Sequence, residues 1–180
     1  MKVIGFCGLP GAGKSTAIEA INDLGFIISM GDVIRNEAKI RNIEPNDENL
    51  GKIAKTLRKE RGNDIIAKEC VKFIKNREEE IIFVDGIRSW NEVKIFKSNW
   101  SFPLIAIKAK KKLRYKRISE RHRIDDPDIE IKIEKRDERE KKFGINEVIR
   151  KADYLILNNS TIDDLKIRTR NLVLNLIMNY

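Results

Sequence analysis

The stretch Gly8-Leu9-Pro10-Gly11-Ala12-Gly13-Lys14-Ser15-Thr16 constrains this chain more than any other. It follows Lys2 to Cys7, an apolar run that reads as a short buried strand. It precedes a segment in which Ile18 and Ile21 share one helical face. Gly8, Gly13, Lys14 and Ser15 meet the spacing G-x-x-x-x-G-K-[ST], and the strand-loop-helix setting gives that spacing its meaning. Glycines let the backbone curl so that consecutive N–H groups point into one cavity. The helix N-terminus adds its partial positive charge there. Lys14 supplies a full charge for β- and γ-phosphates, and the Ser15 hydroxyl is placed to ligand Mg²⁺. The nine residues Gly8 to Thr16 are therefore the candidate phosphate-binding loop for ATP.

The remainder of the chain alternates strands and helices. Phe26-Ile27-Ile28 reads as a second strand, with Gly25 before it as a helix C-cap. Asp32 is placed as the N-cap of a helix from Val33 to Lys39, and residues 42–49, with Pro45, read as a loop. Two helical patterns follow, about Leu50 to Arg58 and Asn63 to Ile74. In the second, Ile66, Cys70, Phe73 and Ile74 recur at helical spacing. Ile81-Ile82-Phe83-Val84 lacks polar alternation, as expected of a strand covered on both faces. A short helix over Glu92 to Phe96, a strand from Pro103 to Ile107 and a strand from Tyr154 to Leu157 complete the core. A last helix is expected to pack through Ile162, Leu165, Leu172, Leu176 and Ile177. Alternation of this kind after a phosphate loop predicts a parallel α/β sheet with right-handed crossovers.

From Lys108 to Lys142 the apolar stripe thins to Leu113, Ile118, Ile131 and Ile133 amid Lys, Arg, Glu and Asp. A charge run is usually a solvated face. Set between two core strands, this one reads as a mobile helical flap. The net charge of +9 suits a polyanionic ligand, either a nucleotide polyphosphate or a nucleic acid. No aromatic platform interleaved with basic residues accompanies it, so nucleic acid is not favoured. Cys7 and Cys70 have no CxxC partner, which argues against a zinc site or a disulfide framework. No uncharged apolar run approaches the ~20 residues of a membrane span, so a soluble, cytoplasmic protein is expected.

Several side chains suit phosphate chemistry. Asp85 follows the apolar strand at the expected sheet edge and is a candidate Mg²⁺ ligand beside Ser15. Arg88 has the planar fork of a bidentate phosphate contact. Asp32 and Arg35 open the helix after the second strand, where an acceptor would bind, and Arg58 is a weaker candidate there. Arg117 and Arg121 share one helix face. With Arg123 and Arg136 they are expected to converge on the phosphates when the flap closes. Asp125, Asp126 and Asp128 could order the flap, and His122 reads as a surface residue.

These motifs resemble a known family. Gly8 to Lys14 looks like the phosphate loop of adenylate kinases, and Gly31-Asp32-Val33-Ile34-Arg35 resembles their monophosphate-binding turn. Asp85-Gly86-Ile87-Arg88 is similar to their D-G-x-x-R segment with the arginine displaced by one. Arg117, Arg121 and Arg123-Ile124-Asp125-Asp126 resemble their lid. Asp23-Leu24-Gly25 with Asp32, and Ala152 to Asn158, are similar to dephospho-coenzyme A kinases. The best match overall is an archaeal group of adenylate-kinase-related P-loop proteins between the two. The resemblance implies a nucleoside-monophosphate-kinase-like fold over residues 1–180, with a five-stranded parallel sheet in the order 2-3-1-4-5. It also implies a monophosphate-binding insert near 31–75 and a short lid near 110–142. The phosphate loop departs from adenylate kinases in reading Lys-Ser-Thr, and there is no long β-rich lid.

The expected function is transfer of the γ-phosphate of ATP, with Mg²⁺, to a nucleotide-like acceptor such as AMP. Lys14, Asp32, Arg88, Arg117, Arg121 and Arg123 are the expected catalytic set, and Asp32, Arg35, Arg58, Asp85 and Arg88 the acceptor set. Two alternatives remain open: a dephospho-coenzyme A kinase with Asp32 as general base, and a nucleotide-dependent switch acting on RNA or a protein.

Overall fold

The computed structural model describes residues 1–121 and 130–179. Apolar runs form β1 (Lys2–Cys7), β2 (Phe26–Ser29), β3 (Ile81–Ile87), β4 (Leu104–Lys108) and β5 (Tyr154–Leu157). They make one sheet in the order β2-β3-β1-β4-β5, and every pairing is parallel. The expected order 2-3-1-4-5 is the observed one. Parallel neighbours need long crossovers, and helices fill them on both faces.

Successive strand residues point to opposite faces. Ile4, Phe6, Phe83, Ile105 and Ile156 therefore meet α1 (Lys14–Glu19) and α9 (Ile162–Asn179) through Ala17, Ile18, Leu165 and Val173. Val3, Val84, Leu104 and Ala106 enter the opposite layer. That layer contains α2 (Met30–Ile40), α3 (Asp47–Arg61), α4 (Ile65–Lys75), α5 (Trp90–Lys97) and α8 (Ile145–Arg150). These contribute Ile34, Leu57, Ile66, Ile74, Phe96 and Val148. Helices cover both faces of the central strands, which is why these carry no polar alternation, while the edge strand β5 leaves Leu155 and Leu157 half exposed. Fully burying a side chain such as Phe6, Phe83 or Phe96 contributes about 1.5–3 kcal/mol.

Local chemistry shifts several expected boundaries. Helix α2 begins at Met30, and its cap is Ser29, not Asp32. Ser29 is extended, and its hydroxyl accepts from the Gly31 N–H at 3.2 Å. Asp32 lies inside the first turn, where an acidic side chain still complements the helix dipole. Helix α3 starts at Asp47, within the expected loop, because Asn46 accepts from the Asn49 N–H at 2.9 Å. Gly25 does not cap α1, which ends at Glu19; a Cβ at Gly25 would lie 2.6 Å from the Ile81 carbonyl. On α9 the packing face contains Thr169 and Val173 with Leu165 and Leu176, while Ile162 is exposed. Phe73 is half exposed and lies under the Arg77 guanidinium.

Strand β3 runs beyond Val84 to Ile87. Phe6 pairs with Asp85 and Cys7 with Ile87, so Gly86 is skipped in the register. Gly86 has φ +94°, a left-handed conformation that suits glycine. A bulge of this kind re-aims the neighbouring side chains, and here it sits where β3 passes the phosphate loop.

The charge run becomes α6 (Lys111–Arg121) and α7 (Glu130–Phe143). Their shared apolar contact reduces to Tyr115, Ile118 and Ile133, while Ile131 is exposed. Ion pairs supply much of the remaining contact. Arg114 on α6 grips Asp137 on α7 through both guanidinium nitrogens, and the pair is buried. Arg139 and Arg136 on α7 reach Asp47 at the start of α3, at 2.6 Å and 3.2 Å. Helices α6 and α7 are thus locked to each other through Arg114 and Asp137, and α7 is fastened to the main layer at Asp47.

Candidate active site

The loop Gly8 to Gly13 leaves the carboxyl end of β1 and turns directly into α1. Gly13 has φ +104°, and a Cβ there would run into the Asn158 amide. Asn158 follows β5 and donates through Nδ2 to the Ala12 carbonyl at 2.8 Å. Arg117 on α6 donates to the main-chain and side-chain oxygens of Asn158 at 3.4 Å. Arg114 donates to the Pro10 carbonyl at 2.7 Å. The loop is therefore held from outside by the end of the sheet and by α6. Lys14 Nζ donates to the Gly8 carbonyl at 2.8 Å. Burial pulls its ammonium below the ordinary lysine pKa, with Asp85 opposing that shift.

A cavity of 460 Å³ opens over the loop. Gly8, Pro10, Gly11, Gly13, Lys14, Ser15 and Thr16 line it, while Leu9 and Ala12 lie against a separate groove on the other side of the loop. Asp85 and Arg88 enter from β3 and the turn after it. Arg35 comes from α2, Arg117 from α6 and Arg136 from α7. Asp85 Oδ1 is buried with no hydrogen-bond partner among the described residues. An orphaned carboxylate oxygen in the same cavity as a serine hydroxyl fits a hard cation that takes oxygen ligands and retains waters. Ser15 and Asp85 therefore suit Mg²⁺.

Two expected residues lie elsewhere. The Asp32 side chain is 69% exposed and accepts from Arg35 Nη1 at 2.8 Å, outside the lining of the cavity. Arg58 is buried within the helical layer, 2.8 Å from the carboxylate of Glu92 and stacked over Phe143 at 4.3 Å. Glu92 is 0% exposed, and its Oε2 also accepts from the Arg88 and Ser89 N–H groups. Arg58 is therefore a core cation that fixes the start of α5, because a buried carboxylate needs a charged partner. Arg121 ends α6. His122, Arg123 and the acidic residues Asp125, Asp126 and Asp128 lie outside the described residues.

The structure adds residues that sequence reasoning did not assign. Glu140 on α7 lines the cavity and lies 3.0 Å from Arg88 Nη1. Glu120 and Asn158 line it too. Asn158 carried a signal, as the last residue of the segment resembling dephospho-coenzyme A kinases. Glu140 carried none, because it sits in a run where acids and bases alternate at nearly every position.

Comparison with known proteins places this geometry. Residues 4–142 match a family described as an AAA domain. The chain is 41% identical over 184 residues to a UPF0200/UPF0201 protein of Archaeoglobus fulgidus, covering 99% of this chain but only 57% of that longer protein. It is 40% identical to a UPF0200 protein of Methanosarcina barkeri, covering 92% of this chain and 91% of that one. Among solved structures, shikimate kinase from Acinetobacter baumannii in complex with shikimate superposes with a TM-score of 0.61 at 15% identity. The match covers 97% of this chain and 94% of that one. Shikimate kinase from Aquifex aeolicus gives 0.54 at 14% identity over 99% of each chain. At such identities the likeness is one of fold: a P-loop, kinase-like sheet.

Proposed function

This chain belongs to the AAA domain family and, over nearly its whole length, to the archaeal UPF0200 family, and on that premise we propose that it is a phosphotransferase. It moves the γ-phosphoryl group of ATP to a nucleotide-like acceptor, with a nucleoside monophosphate such as AMP as the leading candidate. One observation carries this reading. A single cavity holds a phosphate loop, an orphaned carboxylate oxygen and the arginines Arg35, Arg88, Arg117 and Arg136.

Catalysis of phosphoryl transfer is mainly positioning and charge stabilisation. Lys14 and the loop N–H groups hold the donor phosphates, Lys14 leaving the Gly8 carbonyl to do so. Ser15 and Asp85 would hold Mg²⁺, which would supply charge neutralisation to the transferring phosphoryl group. Arg117 covers the donor phosphates from α6. Arg35, Arg88 and Arg136 receive the acceptor phosphate. In this reading, residues 31–75 form the acceptor side and residues 110–142 the lid.

A monophosphate oxygen is already nucleophilic and needs no general base. A sugar hydroxyl acceptor, as in the dephospho-coenzyme A alternative, benefits from a base, and the exposure of Asp32 and its pairing with Arg35 weigh against that residue in the role. The switch alternative rests on net charge alone. Among the described residues no helix is long and apolar enough to cross a membrane.

The test is ADP formation from Mg²⁺-ATP with AMP, CMP, GMP, UMP or dephospho-coenzyme A as acceptor. Stimulation by a monophosphate, lost in Lys14→Met and Arg88→Met, is the expected result. Stimulation by dephospho-coenzyme A alone would replace the acceptor assignment, and no stimulation by any of them would remove the reading.

A further inference from the structure

Gly51 lies inside α3, a position where glycine is less favourable than alanine. Its φ is not left-handed, so backbone conformation does not call for glycine there. Space does. The Arg139 guanidinium lies across the bare Cα, and a Cβ would come within 2.6 Å of Nη1 and 2.8 Å of Cζ. One turn earlier on the same face, Asp47 accepts from Arg139 Nη1 at 3.1 Å and from Nη2 at 2.6 Å. Asp47 and Gly51 thus form two halves of a seat, one electrostatic and one steric, for a single side chain of α7.

The seat adjoins the cavity. Arg136, three residues before Arg139, also reaches Asp47 and lines the cavity wall. A pit of 40 Å³ lined by Gly51 and Arg139 is shared with Arg35 and Arg88, the other arginines assigned to the acceptor phosphate. Arg139 itself is outside the cavity lining. We infer that Asp47, Gly51 and Arg139 form a latch that holds α7 against α3 and so positions Arg136 for its anion. Placing a charged side chain in advance spares the ligand the cost of ordering it. Loss of the latch weakens binding in proportion to the fraction of molecules in which α7 stays seated. That the anion is the phosphate of a monophosphate acceptor rests on the reading above.

The test is native hydrogen–deuterium exchange over α7, with thermal melts to establish that each variant folds. Gly51→Ala introduces the best helix former, so without a latch it would stabilise α3 and leave α7 unchanged. With the latch, the methyl meets only the end of a flexible side chain and unseats it. Exchange in α7 should then rise about five-fold, the scale of a bidentate, partly exposed pair. Asp47→Asn should produce a similar rise without touching the steric half, and decides if Gly51→Ala does not fold. In an Arg139→Ala background Gly51→Ala should add nothing, because the guanidinium it would displace is gone. Calorimetry with the donor site filled by Mg²⁺ and a non-hydrolysable ATP analogue should show AMP bound about five-fold more weakly by Gly51→Ala. Unchanged exchange in Gly51→Ala and Asp47→Asn, or an equal rise from Gly51→Ala in the Arg139→Ala background, would overturn the latch. Faster exchange with unchanged AMP affinity would overturn its positioning role. No AMP binding by wild type is a different outcome: it removes the acceptor reading, and the exchange rates alone then uphold or overturn the latch.

Discussion

Replacing Arg58 with methionine separates a structural arginine from a ligand-binding one. The substitution preserves length and apolar contact but removes the charge facing Glu92. In the native protein that pair is buried, with Arg58 7% exposed. Removing one member of a buried pair costs about 3–5 kcal/mol, because the other charge is left uncompensated. Glu92 retains two main-chain donors and the Ser89 capping box, which favours the lower end, about 3 kcal/mol. For a domain of this size each kcal/mol lowers Tm by about 2–4 °C, so a fall of about 6–12 °C is expected. Thermal unfolding followed by circular dichroism measures it. A cycle with Glu92→Leu isolates the pair, and the double variant should recover at least ~1 kcal/mol of the summed single losses. Affinity for Mg²⁺-ATP should be unchanged well below the new Tm. If Arg58→Met leaves Tm intact but weakens acceptor binding, the placement of Arg58 as a core cation is refuted.

Other outcomes follow from the same geometry. Gly13→Ala combines left-handed strain with loss of the Asn158 bond to Ala12, and should destabilise by about 2–4 kcal/mol and abolish nucleotide binding; a variant that binds ATP normally would contradict the packing described. Lys14 has its folded pKa lowered below 10.5, chiefly by burial, so between that lowered pKa and 10.5 the unfolded chain holds the extra proton and stability rises with pH. Phosphates restore the proton, so nucleotide binding in that window should take up protons and weaken as pH rises. Calorimetry in buffers of differing ionisation enthalpy reads this, and the uptake should vanish in Lys14→Met. Cys7 and Cys70 thiols are both pushed up to about 12 by burial, so at pH 8 iodoacetamide should label neither until the protein is denatured. Native labelling at the rate of a free thiol would place one of them outside the core.

Much of the phosphate-loop side of the cavity was legible because local backbone chemistry dictates it. Glycine spacing, a lysine and a helix start specify the phosphate loop without help from distant residues. Asp85 was readable for the same reason, as a carboxylate closing an apolar run, though the bulge at Gly86 that aims it was not. The opposite side of the cavity depends on contacts between segments far apart in the chain. Arg35, Arg88 and Arg58 look alike in sequence; only the positions of Glu92 and Phe143 turn the last of them inward. Asp32 looked like a cap because nothing in the sequence ranks it against Ser29 three residues earlier. Charged residues in α7 read as solvated because ion pairs have no periodicity, so Asp137 and Glu140 stayed hidden in a run that is mostly exposed.

The two fastenings of α7 are not equivalent. The Arg114–Asp137 side chains are at most 5% exposed, whereas Asp47 is 20% exposed and holds its arginines near solvent. Added salt screens the Asp47 end more than the Arg114 end. Warming lowers the cost of desolvating either pair. Salt therefore loosens the hold of α7 on α3 before it loosens the grip of α7 on α6.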